Sequence, residues 1–180
     1  MAGKGLRDSQ FLVRVAVLGA MGFALMYIEF PLPLFPSFLK YDLGDVPALL
    51  AAFAMGPLAG LLSELIKCAI FFLSGKGDAG LVGAAANFVA GGALVVAAGW
   101  VYQKYHDLRG ALLGLATGSV AMVAAMTVVN IYIFLPLWGV PAEQVVPMAL
   151  TATVPFNLAK GILTSVITFV FYKRVRHLLR

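Results

Sequence analysis

Long apolar stretches, separated by short groups of proline, glycine or charged residues, follow one another along almost the whole chain. A helix needs roughly 20 predominantly apolar residues to cross the hydrocarbon core of a bilayer. The pattern predicts membrane-spanning helices at approximately residues 11–29, 46–56, 58–74, 79–102, 110–136 and 146–172. The second is the weakest prediction, because Pro47 and the Gly56-Pro57 pair leave only about ten residues for a perpendicular crossing.

The composition favours a membrane protein over a soluble one. Of the 180 residues, 62% are hydrophobic and 12% are charged, whereas soluble proteins contain about 25% charged residues. We therefore expect an all-α integral membrane protein with a single transmembrane domain, residues 1–180, folded as a compact six-helix bundle. The run from Phe11 to Ile28 is too long for a signal-peptide core and lacks a cleavage site, so it is interpreted as the first span. Cys68 is the single cysteine, which excludes a disulfide framework or a Cys-rich metal motif.

Basic residues cluster at three of the predicted ends of spans. Nine of the 13 lysines and arginines belong to these clusters: Lys4, Arg7, Arg14, Lys104, Arg109, Lys173, Arg174, Arg176 and Arg180. Because the cytoplasmic ends of spans carry an excess of Lys and Arg, both termini are predicted to be cytoplasmic and the number of crossings to be even. This placement accounts for the net charge of +5 and predicts a multi-pass protein of the cell membrane. No nucleic-acid partner is expected.

The first outward connection is unusually apolar, and the stretch from Phe30 through Pro47 contains four prolines. Such a loop is poorly suited to water, so we expect it to fold back over the mouth of the bundle as a lid. The alternative is a hydrophobic loop that rests on the lipid headgroups. Asp45 directly precedes Val46 and Pro47 and is predicted to cap the N-terminus of the second helix.

A few ionisable and amide side chains fall within the predicted spans, where such groups are costly and usually functional. Glu64 and Lys67 are three residues apart on one helical face, which predicts a structural ion pair. Lys160 lies near the middle of the last span, one turn after Asn157, and Asn130 lies deep in the fifth span. These two amides and one ammonium suit a planar ligand edge that bears carbonyls and an N–H. In the alternative, Lys160 pairs with Glu64 and the asparagines bond backbone carbonyls across helices.

Several motifs of enzymes and pumps are missing from the sequence. Gly75-Lys76-Gly77 lacks the upstream glycine and the following Ser or Thr of a Walker A motif, so the chain is not predicted to hydrolyse ATP. The two histidines, His106 and His177, lie at predicted cytoplasmic ends of spans, which excludes a His-based metal site or catalytic triad at depth. These absences favour a binding subunit over an enzyme or a pump.

Ala16, Ala20 and Ala24 repeat every four residues along the first span and form a smooth stripe on one side of it. Small side chains let helices approach closely in a membrane. The stripe therefore predicts a packing surface for another helix, which the spacing alone leaves open between this chain and a partner.

The first loop, its flanking helices and the last span contain a specific set of short motifs. These are Phe30-Pro31-Leu32-Pro33, Pro36-Ser37-Phe38-Leu39-Lys40-Tyr41-Asp42, Asp45-Val46-Pro47-Ala48-Leu49, Gly56-Pro57-Leu58-Ala59-Gly60, Glu64 with Ile66-Lys67, and Asn157-Leu158-Ala159-Lys160-Gly161. With them the chain resembles, over nearly its whole length, the riboflavin-specific S component of the energy-coupling factor (ECF) importers. It departs from that family's pattern at Gly44 and Cys68.

The resemblance implies a six-helix membrane protein that binds riboflavin from outside and docks on one transmembrane coupling protein and two ATPases. It also implies that Asn130, Asn157 and Lys160 hydrogen-bond the polar edge of the isoalloxazine ring, and that the stripe Ala16, Ala20 and Ala24 docks on the coupling protein. The first loop would close over the ligand with Leu39, Lys40, Tyr41, Asp42 and Leu43. Riboflavin is then a transported ligand, and no cofactor or metal is expected.

Two other readings remain open at this point. The ligand could be a different vitamin or another flavin, such as flavin mononucleotide. The protein could also be a non-transport membrane protein or a membrane-embedded enzyme, although the spans offer no nucleophile and base together at depth.

Overall fold

The computed structural model of the protein describes residues 9–76 and 80–175, and most of them are helical. The helices are α1 (Ser9–Met26), α2 (Asp45–Met55), α3 (Pro57–Leu73), α4 (Gly80–Tyr105), α5 (Leu108–Val129), α6 (Leu135–Leu137), α7 (Ala142–Met148) and α8 (Val154–Val175). Two π-helical turns, Asn130–Phe134 and Ala149–Thr153, join α5 to α6 and α7 to α8. Each of these pairs therefore forms one long rod with a widened turn inside it.

Four helical stretches among the described residues are long and apolar enough to cross a membrane: Ser9–Met26, Gly80–Tyr105, Leu108–Leu137 and Ala142–Arg174. α3 is also apolar but has 17 residues, and α2 has 11. Lys4, Arg7, Arg176 and Arg180, on which the predicted orientation partly depends, lie outside the described residues.

Polar and apolar side chains are distributed as a lipid environment requires. Large apolar side chains such as Val13, Val120 and Val166 are exposed on the outside of the bundle. Charged side chains, among them Asp45, Glu64 and Lys67, are fully buried inside it. Hydrocarbon gives apolar groups no reason to withdraw from the surface, whereas it penalises every unpaired polar group.

Glycines set the close packing of the central helices. A Cβ atom on Gly118 would lie 2.6 Å from the carbonyl oxygen of Leu94, and one on Gly114 would lie 2.7 Å from that of Ala98. α5 therefore packs directly against the backbone of α4, as small residues permit in membranes. Leu115 and Met122 of α5 are buried in the same core.

The connection between α1 and α2 folds back against the helices. Its two short strands, β1 (Phe30–Pro31) and β2 (Lys40–Tyr41), pair antiparallel, with Phe30 opposite Tyr41. Between the strands, the ring of Phe35 packs edge-on against Phe156 of α8 with centroids 5.5 Å apart. Phe38 lies similarly close to Trp138, which follows α6, at 5.7 Å. The loop thus contacts two residues that lie within a few positions of the π-helical turns, Trp138 after Asn130–Phe134 and Phe156 after Ala149–Thr153.

The role predicted for Asp45 as a helix cap is wrong. Gly44 is the residue before α2, and no side chain in the described part of the chain caps this helix end. Asp45 belongs to the first helical turn, and its buried carboxylate forms an ion pair with Lys67 of α3. Capping would require the carboxylate to turn toward its own backbone N–H groups, whereas a buried ammonium attracts it more strongly.

Candidate functional site

A cavity of about 280 Å³ lies between the α1–α2 loop and helices α4, α5 and α8. Its described wall residues are Glu29, Ser37, Phe38, Leu39, Lys40, Phe71, Gly80, Gly83, Ala86, Asn87, Ala90, Met126, Asn130, Trp138, Phe156, Asn157 and Lys160. Aromatic and aliphatic side chains surround a small number of polar groups, which is the usual composition of a site for a small organic ligand.

Both asparagines predicted for the site line this cavity, and both lie next to a π-helical turn. Asn130 begins the turn after α5, while Asn157 lies one helical turn after Ala149–Thr153 and donates from Nδ2 to the Thr153 carbonyl oxygen at 2.8 Å. The extra residue in a π turn changes the direction in which the following side chains point, and such turns are frequent at functional sites. Asn130 is 2% exposed, and its Oδ1 accepts no hydrogen bond from the described residues. Asn130 therefore lines the cavity and holds a buried acceptor atom without a donor from the described part of the chain.

Lys160 also lines the cavity, where its ammonium joins three elements of the fold. Lys160 Nζ lies 3.2 Å from Asp42 Oδ2 in the loop, 3.4 Å from Asp45 Oδ2 in α2 and 3.1 Å from Asn87 Oδ1 in α4. The alternative in which Lys160 pairs with Glu64 is therefore not observed. Its acidic partners instead come from the segment that joins the loop to α2.

Behind the cavity wall the charges continue as a buried network. Lys67 pairs with Asp45 and also with Glu64, whose Oε2 lies 2.6 Å from Lys67 Nζ within α3. Asp45 thereby bridges Lys67 and Lys160. Burying charges is costly unless each one has a close partner of opposite sign, and this network provides such partners for both lysines.

The five loop residues predicted to bind the ligand do not all reach the cavity. Leu39 and Lys40 line it, and Lys40 Nζ forms an ion pair with Glu29 Oε1 at 3.0 Å. Tyr41, Asp42 and Leu43 are absent from the described wall. The Tyr41 hydroxyl is buried and lies 3.5 Å from Thr164 Oγ1 of α8. The segment that includes Tyr41 and Asp42 thus anchors the loop to α8, and its contact with a ligand stays a prediction.

Residues 10–172 match the family model of the ECF transporter, substrate-specific component. The chain belongs to this family.

Two curated relatives of this substrate-specific component come from different bacteria. It is 31% identical to the riboflavin transporter RibU of Staphylococcus aureus, over 97% of this chain and 95% of the relative. It is 35% identical to the riboflavin transporter FmnP of Bacillus subtilis, over 90% of each chain.

Solved structures agree with the family. The S component of a bacterial ECF transporter, 33% identical, superposes with a TM-score of 0.80 over 94% of this chain and 96% of that one. The ThiT protein of Listeria monocytogenes shares only the fold, at 17% identity and a TM-score of 0.62 over 92% of each chain. The substrate-specific component described here is accordingly a multi-pass protein of the cell membrane.

The cavity wall of this substrate-specific component includes residues that were not predicted from the sequence. Trp138 lines the cavity, and its Nε1 is buried without a partner among the described residues. Phe156 and Asn87 also belong to the wall. Asn87 lies in an Ala- and Gly-rich stretch, where its polar side chain at membrane depth was the one available signal.

The alanine stripe lies on the outside of the bundle. Ala16, Ala20 and Ala24 are all exposed, whereas Gly19 and Gly22 of the same helix face inward. A Cβ on Gly22 would lie 2.8 Å from the Gly44 carbonyl oxygen, so this inner face is tightly packed against the start of α2. The two faces of α1 are therefore distinct, one packed and one smooth and open.

Proposed function

We propose that this protein captures riboflavin from outside the cell and delivers it for ATP-driven import by an ECF module of one transmembrane coupling protein and two ATPases. The observation that carries the proposal is the convergence of Asn130, Asn157 and Lys160 on one largely apolar cavity. Both curated relatives described above are named riboflavin transporters, which supports this ligand. The chain itself is a binding subunit and not an enzyme.

The chemistry of the cavity suits the flavin ring. The polar edge of a neutral isoalloxazine has a single N–H with one carbonyl oxygen on each side of it. A protein site for this edge therefore needs one hydrogen-bond acceptor between two donors. Asn130 Oδ1 is a buried acceptor that receives no hydrogen bond within residues 9–76 and 80–175, and Lys160 is a cationic donor. Phe38, Trp138 and Phe156 supply aromatic surface for the faces of the ring.

The charges at the cavity favour riboflavin over its phosphate. Of the cationic side chains in the described wall, Lys40 is paired with Glu29, and Lys160 is paired with Asp42 and Asp45. A phosphate group would therefore meet cations that are already neutralised and a carboxylate beside them. Such an arrangement costs binding energy for a dianion and leaves a neutral ligand unaffected.

The proposed membrane arrangement has six crossings, formed by α1, α2, α3, α4, the rod of α5 and α6, and the rod of α7 and α8, with both termini cytoplasmic. α2 has 11 residues and is thus only about 17 Å long at 1.5 Å per residue. The loop segment before it must then descend into the membrane, which agrees with the burial of Tyr41 and Asp42. In this arrangement the loop of residues 27–44 acts as a lid on the outer side of the cavity.

The exposed stripe Ala16, Ala20 and Ala24 is proposed as the docking surface for the coupling protein. A smooth helix face allows a partner helix to approach closely, and these residues are not used for packing within the bundle.

Mass spectrometry of the small molecule that co-purifies with the detergent-solubilised protein tests the ligand. Riboflavin is expected, and its absence from a protein that also fails to quench riboflavin fluorescence would overturn the proposal. A thermal-shift panel of riboflavin, flavin mononucleotide and unrelated vitamins then separates the alternatives, because only a tightly bound ligand stabilises the folded state strongly at low concentration.

A further inference from the structure

Asn87 is an uncharged residue of the cavity wall, and its side chain contacts the ammonium of Lys160. Lys160 Nζ is 3.1 Å from Asn87 Oδ1, 3.2 Å from Asp42 Oδ2 and 3.4 Å from Asp45 Oδ2. An ammonium group has three N–H donors; Lys160 uses two of them for Asp42 Oδ2 and Asn87 Oδ1, whereas Asp45 Oδ2 lies at ion-pair distance without a hydrogen bond. A ligand carbonyl that approaches Lys160 can therefore accept from the third N–H or compete with one of the two bonded oxygens.

Asn87 is the partner of Lys160 that can yield. Asp42 and Asp45 are charged and almost fully buried, so displacing either would leave an unpaired carboxylate in a membrane interior. Asn87 is neutral, half-buried and part of the cavity wall, whereas neither aspartate belongs to the described wall. A ligand atom at the ammonium is therefore adjacent to the Asn87 amide.

The orientation of the Asn87 amide is fixed by its two neighbours. Its Oδ1 faces the Lys160 ammonium, which can only donate, and its Nδ2 donates to the Gly83 carbonyl oxygen at 3.3 Å. An amide nitrogen carries two N–H groups, and the second one has no acceptor within residues 9–76 and 80–175. Gly83 and Asn87 both line the cavity, so this remaining donor belongs to the site.

We propose that Asn87 Nδ2 and Lys160 Nζ form a donor pair for one carbonyl oxygen of the ligand, which makes Asn87 a specificity-determining residue. A carbonyl oxygen has two lone pairs and can accept from both groups at once. The inference rests on the proposed riboflavin site, in which either ring carbonyl has the required chemistry. It adds a contact from α4 to the contacts from α5 and α8 that the sequence predicted.

Two substitutions at Asn87 separate direct contact from mere positioning of Lys160. Asn87→Ala removes both functions, and riboflavin affinity measured by fluorescence quenching is expected to fall roughly 10- to 100-fold. Asn87→Asp retains an oxygen for Lys160 but has no N–H, so it is expected not to restore binding. Wild-type affinity in Asn87→Asp, or a change of less than about two-fold in Asn87→Ala, would overturn the inference.

Ligand analogues identify the atom that Asn87 contacts. Sulfur is a weak acceptor, so in 2-thioriboflavin and 4-thioriboflavin one carbonyl at a time loses its ability to pair with Asn87. The affinity loss caused by Asn87→Ala is expected to disappear with one of the two analogues and to persist with the other. An equal loss with both analogues would contradict a carbonyl contact.

Thr127→Val provides the matched control. Thr127 is half-buried on α5, donates to the Val123 carbonyl oxygen at 2.7 Å and does not belong to the described wall, so riboflavin affinity should not change. Thermal unfolding of each variant verifies that it is folded. If the wild-type protein binds no riboflavin, the proposed function itself fails, whereas unchanged binding by Asn87→Ala in a riboflavin-binding protein refutes only the role of Asn87.

Discussion

Lys160 and Asp42 are 118 positions apart in the sequence, and Lys160 Nζ lies 3.2 Å from Asp42 Oδ2 in the fold. Asp42 directly follows β2 of the α1–α2 loop, and Lys160 lies within α8 on the cavity wall. The ion pair therefore fastens the end of the loop to the helix that carries two of the candidate ligand-binding groups. In the proposed function, ligand binding and the attachment of the loop therefore depend on the same ammonium group.

Replacing Lys160 tests the strength of this connection. Lys160→Met keeps the length of the side chain but leaves Asp42 and Asp45 facing an apolar group, which should lower the free energy of unfolding by about 3–5 kcal/mol. Unfolding in mixed detergent micelles measures the loss. Lys40→Met, at the more exposed pair with Glu29, should cost at most about 1 kcal/mol.

Coupling between Lys160 and Asp42 is measured by a double-mutant cycle. Asp42→Asn combined with Lys160→Met should lower the free energy of unfolding by less than the sum of the single changes, with a difference of roughly 0.5–3 kcal/mol. Strict additivity would mean that this ion pair does not hold the loop to α8.

The close packing of Gly91 against Glu64 predicts a sensitive position in α4. A Cβ on Gly91 would lie 2.5 Å from Glu64 Oε2, and Lys67 holds that carboxylate in place. Gly91→Ala should therefore lower the thermal unfolding midpoint, since forcing atoms into a packed interior costs about 1–3 kcal/mol. The buried neighbour Gly92 is the control, because its nearest contact would be the flexible end of Leu61 at 3.2 Å. Equal midpoints for Gly91→Ala and Gly92→Ala would contradict the packing described here.

Asn130 should be more important for binding than for folding. Its buried Oδ1 has no donor among the described residues, so Asn130→Leu removes an unpaired polar atom and should leave the folded state as stable as before, or more so. Riboflavin affinity should nevertheless fall at least about 10-fold, because the ligand N–H loses its acceptor. Thermal-shift measurements test the predicted stability, and fluorescence titrations test the predicted loss of riboflavin affinity. A destabilised variant with normal affinity would show that Asn130 serves the structure.

The outer face of α1 should affect transport without affecting ligand capture. Ala20→Trp places a large side chain on the proposed docking surface, so the coupling protein and the ATPases should no longer co-purify with this chain. Ala116→Trp is the control, since Ala116 is exposed on α5, away from the stripe. Both variants should retain riboflavin binding in detergent. Retained assembly in Ala20→Trp would exclude this docking surface.

The sequence predicted the helical, apolar character of the chain because hydropathy alone selects membrane helices. It also identified Asn130, Asn157 and Lys160 as candidates, since polar side chains at depth are rare. These three line one cavity in the structure.

Other features could not be predicted because they depend on contacts between distant segments. The pairing of Asp42 with Lys160 joins residues from opposite ends of the chain. Asp45 was assigned to a helix cap because its local sequence fits one, whereas its partner Lys67 is 22 positions away. Helical periodicity also does not reveal a π turn, so the positions of Asn130 and Asn157 relative to the cavity required the fold.

Titration of riboflavin fluorescence with the purified protein, freed of any co-purified ligand, tests the central claim most directly. The wild-type protein is predicted to quench riboflavin fluorescence with a defined stoichiometry. Asn130→Leu and Asn157→Ala are each predicted to lower the riboflavin affinity at least about 10-fold. Absence of quenching by a folded wild-type protein would contradict the account.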